Sequence, residues 1–248
     1  MIEHSIIAQV SDIHAAPGND GMPRFERALA LLAGFGPDAV VLTGDLIDDG
    51  WTEGYTEIGT RLATLKCPVL LLPGNSDDRH AMQGVFDGRV GAIGDGDAMH
   101  FSARIGALRL IGIDASLPGS SSGDVTPHLG WLNEALRAEG TENTLLFSHH
   151  HFVPCGIPPL DEVIGRGGAA LDDLFASLST KPLALSSGHV HRPMSAMLAG
   201  VPAHICGSIC VANPLWFGGS NVPAVNEPPM IMVHRLTSDG LVSNHVAV

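Results

Sequence analysis

The 248-residue chain is poor in positive charge, with 13 Lys and Arg against 26 Asp and Glu and a formal net charge of −13. That balance gives no general attraction to nucleic-acid phosphates or anionic lipid, so no nucleic-acid polymer is expected as a partner. Charged residues of both signs make up only 16%, against about 25% in an average globular chain. Hydrophobic residues are 45%, which supplies a core and excludes wholesale disorder. Long apolar runs are missing. None approaches the roughly 18 residues of a bilayer span. The start, Met1-Ile2-Glu3-His4-Ser5-Ile6-Ile7, lacks the basic and apolar regions of a secretory leader. A cytoplasmic protein without a membrane segment is the expectation. Cysteine is scarce: Cys67, Cys155, Cys206 and Cys210 are read as reduced thiols, since a chain this long needs no staples. Cys206 and Cys210 have no second Cys/His pair to complete a zinc site and are expected to be small buried hydrophobes.

Short apolar runs alternate with stretches of helical spacing. Strands are expected at 5–10, 39–42, 69–72, 108–114, 145–147 and 183–186. Helices are expected at 25–33, 52–65 (Thr52 as N-cap), 126–137 and 171–178. This is an α/β pattern with parallel strands buried on both faces. Toward the C-terminus, 194–198, 203–206, 230–236 and 241–246 read as strands, the last two joined by a hairpin turn at Thr237-Ser238-Asp239-Gly240. One domain over 1–248 follows. Residues 206–229 are rich in Pro, Gly and Asn, and 206–248 is a candidate lid or dimer element.

Histidine is abundant, at 13 residues, and its placement carries the functional argument. Five expected strands end in metal-capable side chains: Asp12-x-His14, Gly44-Asp45, Gly74-Asn75, His149 and His189-x-His191. Ligands of open α/β sheets bind outside the strand C-termini, so these residues should converge on one edge. The i, i+2 pairs would share one side of an extended chain. Oxygen and nitrogen donors without thiolate suit Mn, Fe, Zn or Co. Seven donors exceed one tetrahedral zinc and suit two metals about 3.5–4 Å apart sharing a carboxylate, an arrangement that clamps both oxygens of an in-line displacement.

These motifs, read with Gly44-Asp45-Leu46-Ile47-Asp48, Gly74-Asn75-Ser76-Asp77 and Gly188-His189-Val190-His191, resemble those of the calcineurin-like metallophosphoesterase superfamily. Gly130-Trp131-Leu132, the Arg192-Pro193 that follows, and Pro228-Pro229-Met230 look like the class III cyclic nucleotide phosphodiesterases. The resemblance implies a four-layer sandwich of two mixed β-sheets flanked by helices. It implies that Asp12, His14 and His191 hold one metal, commonly iron; that Asn75, His149 and His189 hold a second, often manganese, with Zn or Co as substitutes; and that Asp45 bridges them. A metal-bridging hydroxide would then attack the phosphorus of a small phosphodiester, with Asn75 touching the phosphate. Asp48 and Asp77 are candidates to orient a ligand histidine or water, against a reading as turn or cap residues. Arg79 is a candidate phosphate or carboxylate partner, against an exposed helix position.

Two departures matter. Ser76 stands where the family has a histidine that meets the phosphate, and serine is no near-neutral acid. His149-His150-His151-Phe152-Val153-Pro154 replaces the family's His-His-Pro-Pro, so His150 becomes a candidate catalytic and substrate-facing residue, with His150 or His151 as a substitute proton source. Trp216 and Phe217 could stack on a base, and His204 could overhang the site. The expected function is a metal-dependent phosphodiesterase acting on 3′,5′- or 2′,3′-cyclic nucleotides. Glycerophosphodiester hydrolysis and broad phosphomonoesterase activity are the rivals within the class. A non-catalytic metal-binding scaffold is the rival outside it, and a homodimer is a candidate assembly.

Overall fold

A computed structural model describes residues 4–86, 97–138 and 142–248; Met1, Ile2 and Glu3 of the leader reading lie outside them. The first half runs β1 (Ser5–Val10), α1 (Gly21–Phe35), β2 (Ala39–Thr43), α2 (Glu53–Leu62), β3 (Val69–Leu72) and α3 (Arg79–Phe86). The second half runs β4 (Phe101–Ile105), β5 (Leu108–Ile113), α4 (Leu129–Arg137), β6 (Thr144–Ser148), α5 (Pro158–Asp161), α6 (Gly168–Ser177), β7 (Ala184–Ser187), β8 (Met194–Leu198), β9 (Val201–Ile205), β10 (Met230–Thr237) and β11 (Gly240–Ala247).

Two mixed sheets result, one ordered β11-β10-β1-β2-β3 and the other β4-β5-β6-β7-β9-β8. Side-chain alternation assigns each strand two faces. On β2, Ala39 and Val41 join Ile7, Phe101, Leu110 and Phe147 in the apolar layer between the sheets. Val40 and Leu42 point the other way and pack with Phe25 and Leu32 of α1, Tyr55 and Ile58 of α2 and Phe86 of α3. On the far side, Ile111, Leu146 and Leu185 meet Leu132 and Leu136 of α4 and Leu171 and Phe175 of α6. Strands buried on both faces explain the continuous apolar runs. The layers are helix, sheet, sheet, helix.

The C-terminal hairpin is no separate lid: β10 pairs antiparallel with β1, and β11 with β10, so both extend the first sheet. The 206–229 segment has neither helix nor strand. It runs beside the chain that leaves β1, where Ile209 N–H donates to Ser11 O (3.0 Å) and Cys210 N–H to Asp12 O (2.9 Å). Arg24, buried on α1, reaches the carbonyls of Ile209, Cys210 and Glu227. Arg192 holds the Asn213 carbonyl and the Glu227 carboxylate. Thr52 does not cap α2 with its side chain; its own backbone is already right-handed helical (φ −63°, ψ −27°). Three elements, α3, β4 and α5, escaped the sequence reading. The two helices are short, at eight and four residues, and β4 is an edge strand with one fully buried residue, Phe101.

Candidate metal centre

The candidate ligands all lie where strands end. Asp12 and His14 follow β1, Asp45 follows β2, Asn75 follows β3, His149 follows β6, and His189 and His191 follow β7. The i, i+2 pairs do not converge through extended geometry. Asp12, His14, Asp45, His189 and His191 all have left-handed backbones, with φ of 55°, 48°, 52°, 70° and 56°. Asp and His enter that region more readily than other residues with a Cβ, yet each such residue costs about 1–3 kcal/mol and persists only where its surroundings enforce it. Backbone bonds do so here: Asp12 N–H donates to Gly44 O and His14 N–H to Asp45 O, both at 3.0 Å. Gly44, at φ 88°, and Gly74 lie against each other, and a Cβ on Gly74 would collide with the Asp45 carboxylate.

Two groups of donor atoms face one another across Asp45. His14 Nε2 lies 3.0 Å from His191 Nε2 and 3.3 Å from Asp45 Oδ2. His191 Nε2 lies 3.4 Å from Asp12 Oδ1. On the other side, His149 Nε2 lies 3.2 Å from Asn75 Oδ1, 3.2 Å from His189 Nδ1 and 3.5 Å from Asp45 Oδ2. Donors that share a cation at bonds of 2.0–2.2 Å sit about 3 Å apart. The donor set therefore fits two divalent cations, with Asp45 Oδ2 common to both groups.

The remaining ring nitrogens fix the imidazoles. His14 Nδ1 donates to Asp48 Oδ1 at 2.6 Å, and His149 Nδ1 to the Thr43 carbonyl at 2.7 Å. His191 Nδ1 lies 3.3 Å from Cys210 Sγ. Such contacts set tautomer and ring orientation. The half-buried Cys210 is therefore not the inert hydrophobe expected from sequence, whereas Cys206 is fully buried. Asp77 orients no ligand histidine. It accepts from Gly74 N–H (2.8 Å), Leu46 N–H (3.0 Å) and Tyr55 O–H (3.1 Å), tying together the turns that carry Asp45 and Asn75. Ser76 N–H donates to Asp45 Oδ1 at 2.8 Å, while its hydroxyl has no partner among the described residues.

Electrostatics favour positive charge in this cluster. Burial opposes charge on Asp45, but His149 and His14 beside it hold its carboxyl well below the usual range. Burial pulls His14 down, but Asp45 and Asp48 prevail and push it up to about 11; His149 rises to about 9 against the same penalty, chiefly through Asp45. Burial and its histidine neighbours press His189 down to about 2, leaving a neutral imidazole with a free lone pair. Asp77 is pushed up to about 6 by burial and by the charge of Asp45.

Other expected residues fall elsewhere. His150 is fully buried, donates through Nε2 to Ser121 O at 3.2 Å, and packs edge-on against His149. Burial and His149 push it down to about 3, and burial pushes His151 to about 4. Neither is a solvent-facing acid, although a ring nitrogen of His150 lies within 4.8 Å of ring nitrogens of His149 and His189. Arg79 is no exposed helix residue: its Nε donates to Asp114 Oδ2 (2.6 Å) and its Nη2 to Asp114 Oδ1 (3.0 Å) and Ser116 Oγ (2.8 Å). Asp114 went unread, although it too follows an apolar strand, β5. A cleft beside Asn75 and Ser76 is walled by Arg79, Ser116 and Pro118, with the exposed His80 at its rim. His80 lies four residues after Ser76, at the start of α3, and that closeness in sequence is the signal that could have found it. His204 bonds to Ser195 Oγ on the second sheet and does not overhang the centre. Trp216 packs on Cys155, Ile157 and Val190, and the ring of Phe217 covers Gly156.

Comparison with known proteins agrees with this geometry. A family model described as calcineurin-like phosphoesterase matches residues 6–193. The chain is 32% identical over 226 residues to the glycerophosphodiester phosphodiesterase GpdQ of Enterobacter lignolyticus, covering 84% of this chain and 75% of that one. It is 28% identical over 224 residues to a cAMP/cGMP dual specificity phosphodiesterase of Mycobacterium tuberculosis, covering 85% and 69%. The fold matches a dimetal phosphatase of Danio rerio with a TM-score of 0.72 at 14% identity, covering 98% of each chain. With the motif positions at the strand ends and three quarters of the sequence inside the family match, the chain belongs to the calcineurin-like phosphoesterase family.

Proposed function

We propose that this chain is a dinuclear-metal phosphodiesterase that hydrolyses a small cyclic nucleotide. The observation that carries the reading is the placement of Asp45 Oδ2 between two groups of nitrogen and oxygen donors, at 3.3 Å from His14 and 3.5 Å from His149. In this reading Asp12, His14 and His191 hold one metal, and Asn75, His149 and His189 the other, with iron and manganese as the proposed pair and Zn or Co as alternatives. Two cations held there would supply a nucleophilic water at neutral pH and charge stabilisation for the attacking and leaving oxygens. The protein's share is positioning. Ser76 N–H and the turns tied by Asp77 keep Asp45 central, Asp48 and Thr43 aim His14 and His149, and the Asn75 amide is the group free to meet a phosphate oxygen.

Proton delivery to the leaving oxygen cannot come from Ser76, and buried neutral His150 and His151 do not supply it. His80, on the rim of the cleft that Asn75 and Ser76 line, is the proposed donor. A rim donor, looser than a fixed one, favours strained cyclic esters, whose leaving oxygen stays tethered. The similarity to GpdQ supports glycerophosphodiesters as the second reading. No helix among the described residues is long and apolar enough to cross a membrane. The test is a panel of 3′,5′-cAMP, 2′,3′-cAMP, glycerophosphocholine and the mono- and bis-p-nitrophenyl phosphates, run on protein whose metals are counted in the same sample. Preference for a cyclic nucleotide with about two metals per chain is expected. Preference for glycerophosphocholine would select the second reading, and inactivity with both metals bound would reject both.

A further inference from the structure

A second cluster of donors lies on the loop that leaves β6, outside the seven residues of the centre. His151 is 1% exposed, and neither of its ring nitrogens has a hydrogen-bond partner among the described residues. Cys155, also 1% exposed, carries a free thiol. Asp161, at the end of α5, accepts from Cys155 N–H at 2.7 Å and Gly156 N–H at 3.1 Å. One donor atom from each of the three lies within 4.8 Å of the other two.

A buried imidazole with two unmet nitrogens is costly, at about 1–3 kcal/mol for each unsatisfied polar group. The His151 ring stacks on His189, with centroids 5.5 Å apart, and the same loop packs Cys155 and Ile157 into an apolar cluster with Val190; a stacking contact asks for a ring but leaves the two unmet nitrogens unexplained. The carboxylate is pre-aimed by two backbone N–H groups, as ligating carboxylates usually are, and each oxygen keeps a second lone pair.

We infer that His151, Cys155 and Asp161 form a separate site for a divalent cation of the zinc class. One nitrogen, one sulfur and one oxygen are a donor set that zinc accepts, and a fourth position stays open to water. The charges balance on binding. The thiol loses its proton to solvent, and one thiolate plus one carboxylate then neutralise one divalent cation, as a buried site requires. Side-chain movements of about 1 Å bring the three donors to the spacing that zinc bonds set. The site differs in softness from the thiolate-free centre next to it, so the two can select different metals. Bound metal would clamp the 151–161 loop, which supports the 206–229 segment through the Phe217 N–H bond to Gly156 O at 3.0 Å.

The test uses the full-length chain, stripped by chelator and reloaded with Co(II), with bound metal counted per chain and the near-ultraviolet thiolate-to-cobalt absorption recorded. Cys155→Ser is expected to bind one Co(II) fewer than wild type and to lose that absorption. Cys210→Ser, altered beside the other centre, is expected to keep it. Asp161→Asn, a substitution at a part-exposed position that preserves an oxygen for the loop N–H groups, serves where Cys155→Ser fails to fold, and is expected to bind the same cobalt at least tenfold more weakly. Equal cobalt counts in wild type and both loop variants, or an absorption that vanishes only in Cys210→Ser, would overturn the inference. Because the readout is a difference in metal count and spectrum, it fails or succeeds separately from the phosphodiesterase assignment.

Discussion

Removing the Arg79 guanidinium should destabilise the protein strongly at neutral pH and much less in mild acid. Asp114 is fully buried, and Arg79 is 21% exposed. The carboxylate takes two bonds from Arg79, at 2.6 and 3.0 Å, and three neutral ones, from Met99 N–H (3.0 Å), Ser116 N–H (3.0 Å) and Ser116 O–H (2.7 Å). Arg79→Met keeps the apolar stem and deletes the charge. Breaking one side of a buried pair costs about 3–5 kcal/mol. The three remaining donors still solvate the anion, which places the loss near ~3 kcal/mol, or roughly 6–12 °C in Tm for a domain of this size. Burial alone would raise the Asp114 carboxyl, but Arg79 holds it below the usual range. A depressed folded-state pKa gives stability that is present above the unfolded carboxyl value, near 4, and lost as pH falls through the folded value. Without Arg79, burial prevails and the carboxyl rises, so the variant escapes its penalty by protonation. The gap between wild type and variant should therefore be widest near pH 7.5 and shrink toward pH 5. Urea unfolding followed by tryptophan fluorescence at both pH values, under matched metal conditions, measures it. A gap below 1 kcal/mol at pH 7.5, or one that does not change with pH, would refute the reasoning. The double variant Arg79→Met/Asp114→Asn should recover much of the loss, because no uncompensated charge is left.

Asp48→Ala frees the ring of His14 and should weaken metal binding about 10–100-fold, as read by competition against a chromogenic chelator. Asp45→Asn removes the oxygen shared by the two donor groups; the purified variant should hold at most one tight metal, and turnover of bis(p-nitrophenyl) phosphate should fall by at least ~100-fold. His80→Ala should lower the rate on a poor leaving group, such as a cyclic nucleotide, far more than on nitrophenyl esters, whereas equal losses would remove His80 as the proton donor. Gly74→Ala forces a methyl group into the Asp45 carboxylate and should cost both metal affinity and about 1–3 kcal/mol of stability by denaturant titration.

The positions of the candidate ligands could be read from sequence because each sits just beyond an apolar run, and local pattern fixes where a buried parallel strand stops. What could not be read depends on partners distant in the chain. Asp114 became intelligible only once α3 laid Arg79 against it, 35 residues away. Cys210 gained a role from Arg24, 186 residues away, which pins the carbonyl of Cys210 and so helps set its thiol beside His191. The burial of His150 was equally hidden: the chain after β6 turns its Nε2 inward to Ser121 O, 29 residues away.

The left-handed ligand backbones were also invisible to pattern, and they change how the centre should be understood. Five residues at φ 48–70°, all carrying donors, are an expensive way to end strands. Glycine would relieve the strain at every one of them but supplies no donor. The strain is held by the backbone bonds that staple the chain after β1 to the chain after β2, Asp12 to Gly44 and His14 to Asp45, and these in turn rest on sheet pairs far from solvent. The positions of Asp12, His14 and Asp45 are thus braced by backbone bonds rather than by a cation. In the proposed two-metal reading, cation binding then need not order these turns. A carboxylate oxygen set between two donor groups tolerates little play, since drifting toward one group means leaving the other.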